Sequence, residues 1–92
     1  MADEADAIDE WLAALRLQVE AAAAAGQWAR ARSVLEVLLG HAQQTDLGQV
    51  AAVCTQLNVV CRKAGDPEAA ERYRLEAWDL ELRGNLGRGA GF

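Results

Sequence analysis

The stretch "KAGDPEAAERY", residues 63–73, settles the architecture. Gly65 has the conformational freedom to end a helix in a left-handed turn, and Asp66 has a side chain suited to capping the next helix. Pro67 fits a first helical position, where its missing N–H costs nothing, and Glu68 puts a negative charge where the helix dipole favours one. One helix stops and another starts within two residues, which reads as an antiparallel helical hairpin.

Upstream of that turn, Val50, Val53, Cys54, Leu57, Val60, Cys61 and Ala64 recur with the period of a helix that buries one face. This third helix is expected to begin after "TDLGQ" (45–49), with Asp46 as N-cap and Gln49 completing a capping box. A second helix is predicted over roughly 27–43, with Trp28, Ala31, Leu35 and Leu38 inward and Val34, Val37 and Leu39 widening the stripe. His41 falls in its last turn, where an imidazole can meet free carbonyls. The first helix, over about 6–25, presents Ile8, Trp11, Leu12, Leu15, Val19 and Ala22 to a core and stops at Gly26. Asp3, Glu4, Asp6, Asp9 and Glu10 crowd its dipole-favoured start. Trp11 and Trp28 both read as core residues. The fourth helix is expected to reach about Gly84, and the glycine-rich "NLGRGAGF" (85–92) to be a flexible tail. The fold class is all-α: four antiparallel helices as two stacked helix–turn–helix hairpins, in one domain over residues 1–84.

Composition narrows the function. With 92 residues, of which 52% are hydrophobic and many of those alanine, the chain has room for one modest core. A net charge of −5, with nine basic residues mostly interleaved with acids, argues against nucleic-acid binding, which needs a positive face. No apolar run approaches the ~20 residues of a membrane span, and "MADEADAIDE" has neither a basic leader nor an apolar run, so a cytoplasmic location is expected. Cys54 and Cys61 are seven residues apart on one helix, about 10 Å along its axis and beyond disulfide reach. They are read as reduced, small apolar core residues. Arg16–Glu20, Arg32–Glu36, Glu68–Arg72, Arg72–Glu76 and Asp79–Arg83 have i,i+4 spacing and mark solvated faces. With a single histidine, no phosphate-cradling glycine loop and no metal-ligand spacing, the chain is expected to be no enzyme, with no catalytic residue, cofactor or metal. The remaining catalytic option is an accessory subunit that completes another protein's site.

A shift of 39 residues lays Gly26 on Gly65, Ala25 on Ala64, Ala31 on Ala70 and Ala22 on Cys61. Both halves read helix, glycine turn, helix, with a small alanine where two helices cross closely. In the second half, "CTQLNVVCRKAGDPEAAERYRLEA" (54–77) resembles the tetratricopeptide-repeat family. Leu57, Asn58 and Cys61 stand at the leucine, small and aromatic positions of that family's first helix; Gly65, Ala70 and Ala77 stand at its turn glycine and two alanines. In the first half, Gly26, Trp28, Ala31, Leu35 and Leu38 fit the second helix, while the first helix lacks the usual aromatic and small pair. The resemblance covers about residues 12–80, against which a generic four-helix bundle stands as the alternative. It implies a scaffold that binds peptides or proteins in a concave groove, carried onto Arg16, Glu20, Thr55, Val59, Arg62 and Lys63. Glu20 stands where a carboxylate-gripping member would have asparagine, so a carboxylate clamp is not expected, although Arg16, Arg62 and Lys63 suit an acidic segment. Arg62 and Lys63 have a simpler reading too, as cations offsetting the dipole at a helix C-terminus.

The last helix carries a second apolar stripe. Ala70, Tyr73, Ala77 and Leu80 form one face; Leu75, Trp78 and Leu82 form another, on nearly the opposite side. An array of two hairpins should end on a polar cap, and this one does not. Leu75, Trp78 and Leu82 are therefore the expected protein interface, with Trp78 as anchor. It would be covered by a second copy in a homodimer, by a different protein, or by the chain's own tail or acidic start. The function expected is a small adaptor or docking subunit, with the peptide-binding groove as its rival.

Overall fold

The computed structural model describes the backbone of residues 4–89 and the side chains of residues 7–83 other than Leu47. Four helices succeed one another: α1 (Glu4–Ala24), α2 (Trp28–Thr45), α3 (Leu47–Lys63) and α4 (Pro67–Gly89). No strand occurs among the described residues, and the fold is all-α, as expected. Extensive packing runs only between consecutive helices, α1 on α2, α2 on α3 and α3 on α4. A closed bundle would bring α4 back against α1; this is an open array, 46 × 45 × 17 Å across.

The two glycine turns are built alike. Gly26 and Gly65 have φ of 73° and 87°, the left-handed region in which a Cβ is costly. After α1, Gly26 N donates to Ala23 O (3.1 Å) and Gln27 N to Ala22 O (2.8 Å). After α3, Gly65 N donates to Arg62 O (3.2 Å) and Asp66 N to Cys61 O (2.9 Å). Both are Schellman motifs, in which carbonyls orphaned by the helix end are satisfied by the turn. The donors and acceptors are related by the 39-residue shift. The residue after each glycine sets the turns apart. Asp66 Oδ1 accepts from Ala69 N at 3.1 Å, capping α4, whereas Gln27 makes no side-chain cap at α2.

Ala31 and Ala70 are both fully buried, so the small side chain five residues beyond each glycine does sit at a close approach. Around them lie Ala22, Leu35, Leu38, Leu39, Ala42, Val50, Val53, Cys54, Leu57, Val60, Cys61, Ala69 and Ala77. Both cysteines are free and buried. Burial raises their thiol pKa values, Cys54 to about 11 with Glu76 also contributing. Trp28, Tyr73 and Leu80 pack half-buried against this core.

Several expectations are corrected. Trp11 and Ile8 are 44% and 43% exposed, because only α2 packs extensively on α1. Trp11 instead sets its ring edge-on to His41, with centroids 5.6 Å apart; the His41 backbone carbonyl accepts from Thr45 Oγ1. Val37 is exposed. Asp46 does cap α3, accepting from Gly48 N at 3.0 Å. The reciprocal half of the capping box is not made: Asp46 N donates to Ala42 O, and the Gln49 side chain accepts from Arg16. Among the described residues, Arg32–Glu36 and Asp79–Arg83 form as expected ion pairs. Arg32 also takes an unforeseen second partner, Asp66, and Arg62 pairs with Glu71. Finally, α4 continues five residues past Gly84, to Gly89, because "NLGRG" adds no proline and the helix is already nucleated. Of the expected tail, residues 90–92 lie outside the described residues.

Candidate protein-interaction surfaces

The outer face of α4 is apolar and open. Leu75, Trp78 and Leu82 are 48%, 60% and 42% exposed. On the same helix Ala69, Ala70 and Ala77 are buried, and Tyr73 and Leu80 pack half-buried on the core. Alternate turns thus place one stripe against α3 and leave the other to solvent, as helical geometry requires of residues on opposite sides. The uncovered stripe amounts to roughly 300 Å² of apolar surface, on the scale at which a patch marks an interaction site. Residues 85–89 continue the helix, so they lead along its axis and not back over Trp78.

Charges border this stripe, and one, Glu71, falls between Trp78 and Leu82 at 100° per residue. Arg74 pairs with Glu71, which Arg62 of α3 also reaches at 3.4 Å. The Arg74 hydrogen bond is the main cause holding the Glu71 carboxyl below its ordinary range. On the other border Arg83 Nη2 lies 3.0 Å from Asp79 Oδ2.

The six expected groove residues are not brought together. Arg16 and Glu20 line a cavity of about 610 Å³ between α1 and α3, floored by Leu38 and Ala42 of α2. Arg16 Nη2 donates across it to Gln49 Oε1 at 3.4 Å. Thr55 is exposed with its hydroxyl donating to Ala51 O, and Val59 is exposed on α3. Arg62 turns toward α4, donating to Asn58 Oδ1 and Glu71 Oε2. Lys63 turns the other way, with Nζ 6.0 Å from the Trp28 ring centroid. Arg16 meets α3 at Gln49, thirteen residues and so about 20 Å along the axis from Arg62. The three cations therefore do not form one basic patch.

Sequence reasoning missed most of that cavity's wall. Asp9, Leu17, His41, Thr45, Asp46 and Gln49 all line it. One signal was present: Leu17 stands off the core stripe of α1 and is well exposed. Among the described residues no group of three or more His, Cys, Asp or Glu side chains is placed to hold a metal ion, and no buried side-chain polar atom lacks a partner. No described helix is long and apolar enough to cross a membrane. Compared with family models, curated proteins and solved structures, the chain matches none of them.

Proposed function

We propose that this chain is a non-enzymatic, cytoplasmic protein-interaction module of tetratricopeptide-like build, which docks to a protein partner through the outer face of α4. The observation that carries this reading is the exposure of Leu75, Trp78 and Leu82 as one stripe on a helix whose other face is buried. Covering roughly 300 Å² at ~25 cal/mol per Å² is worth several kcal/mol before association costs, and a tryptophan at the centre of the patch is the residue type that most often anchors an interface. The open array and the two matching glycine turns support the tetratricopeptide-like part of the reading.

A second reading rests on the cavity between α1 and α3. Its volume of about 610 Å³ and apolar floor suit the anchoring side chains of a bound peptide. The two readings separate in one capture experiment with the tagged chain. Replacing Leu75, Trp78 and Leu82 by serine should abolish the complex while leaving the helical circular dichroism intact. Replacing Arg16 and Glu20 by alanine should leave it unchanged. The reverse pattern transfers the function to the cavity, and retention of the complex by the serine variant ends the α4 reading.

A further inference from the structure

We infer that the cavity between α1 and α3 is a binding site for a small organic cation with an aliphatic body, in chemical terms an alkylammonium. The inference is independent of the α4 face, and it assigns the cavity to a free small molecule and not to the side chains of a peptide.

The cavity has the size and make-up of a small-molecule site. Its volume of about 610 Å³ lies within the ~300–1,000 Å³ usual for such pockets. All three helices contribute aliphatic wall: Leu12 and Leu17 from α1, Leu38 and Ala42 from α2, and Val53 from α3. Leu17 is exposed and Leu12 half-buried, so an aliphatic chain laid there covers apolar surface that now faces water. Among the described residues no buried side-chain polar atom lacks a partner. Recognition therefore falls to the aliphatic wall and to the charges around it.

Those charges select the head group. The titratable side chains lining the cavity are Asp9, Glu20 and Asp46, against Arg16 and His41. Three carboxylates face one guanidinium and one imidazole, so the balance is negative whichever form the imidazole takes. Arg16 spends an N–H across the cavity on the neutral side-chain oxygen of Gln49. Among the described residues, the ion pairs draw on Glu36, Asp66, Glu71 and Asp79; none uses a carboxylate of the cavity. Asp46 Oδ1 accepts from Gly48 N, which caps α3 and leaves the charge in place. An ammonium group beside an apolar wall meets these carboxylates where water screens them less than in bulk, and an anion there is repelled.

A peptide fits this site less well. Thr55, Val59, Arg62 and Lys63 do not line the cavity, so it does not run on along α3 as a groove for an extended chain. An extended backbone also brings N–H and C=O groups that need partners, and the aliphatic wall offers none.

The test titrates the purified full chain with octylamine, octanol and octanoate at about pH 7, followed by calorimetry and by amide chemical shifts. The three probes share one aliphatic chain and differ in the charge of the head group. Octylamine, protonated at this pH, should bind with a dissociation constant of about 1 mM or tighter and shift amides around the cavity in α1, α2 and α3. Octanol should bind at least about threefold more weakly, and octanoate at least about tenfold. The double variant Asp9→Asn/Glu20→Gln should weaken octylamine binding at least about threefold and leave octanol binding unchanged, with the helical circular dichroism intact. Arg16→Gln should strengthen octylamine binding, the opposite of what a site built around the guanidinium shows. Absence of octylamine binding overturns the inference, as do equal binding of the three probes, tightest binding of octanoate, or shifts confined to α4. A capped dileucyl-lysine peptide that occupies the cavity as tightly as octylamine also overturns it and transfers the cavity to a peptide.

Discussion

At the scale of single residues, Asp66 does the most. One carboxylate oxygen accepts from Ala69 N and caps α4, and the other accepts from Arg32 Nη1 of α2 at 3.0 Å. The Ala69 N–H, then the Arg32 hydrogen bond, hold its pKa below the ordinary value of 3.8. A carboxyl depressed in the folded state contributes stability that is complete above its unfolded pKa and is lost as pH falls through the folded one. The wild-type urea midpoint should therefore fall as pH drops below about 4, and Asp66→Asn should make that fall shallower. Glu71, depressed by Arg74, leaves a residual slope. An equally steep decline in the Asp66→Asn protein would show that the ionised carboxylate matters little.

At the scale of elements, the turns carry the clearest predictions. Nothing lies within 4 Å of a Cβ built at Gly26 or Gly65, so alanine there costs only its backbone conformation. Gly26→Ala and Gly65→Ala should each lower stability by about 1–2 kcal/mol, and the double variant by close to their sum, as read from urea midpoints. Ala31 and Ala70 face the opposite constraint, having no accessible surface; leucine at either should cost about 1–3 kcal/mol through overpacking. These turns and the stripes of α3 and α4 were legible in the sequence because their chemistry is local. A glycine, a cap and a period of 3.6 are visible in a dozen residues. What the sequence hid is which element lies across from each face. Trp11 belongs to the core stripe of α1 by spacing, yet no third helix covers that end. Gln49 is well placed for its own cap, yet Arg16 of α1 takes its side-chain oxygen. Arg62 and Lys63 are adjacent in sequence and diverge, one to Glu71 and one to Trp28. Of the candidate sites, the α4 stripe was visible as periodicity; the cavity between α1 and α3 arises from the fit of three helices and has no local pattern.

At the scale of the whole molecule, packing between consecutive helices makes stability uneven. α3 is packed on both sides, by α2 and α4, whereas α1 has extensive packing on α2 alone. Amide hydrogen exchange should therefore be fastest in α1 and slowest in α3, measured segment by segment by mass spectrometry. The thiols report the same hierarchy. Cys54 and Cys61 are fully buried on α3, and Cys54 with a pKa of about 11 carries little thiolate at pH 8. Labelling by a thiol reagent should be slow in the native protein and should accelerate with urea in step with global unfolding. Rapid native labelling would mean that α3 opens on its own.

The unequal fastening of the two glycine turns has a mechanical consequence. One joint is fastened by a carboxylate that caps α4 and holds Arg32 of α2; at the other, Gln27 leaves the entry to α2 without a side-chain clasp. The first helix is thus set by the backbone hydrogen bonds of that turn and by its packing on α2, and it forms one wall of the pocket spanned by Arg16 and Gln49. The angle at which the chain leaves Gly26 therefore also fixes the width of that pocket, and with it the girth of anything held there.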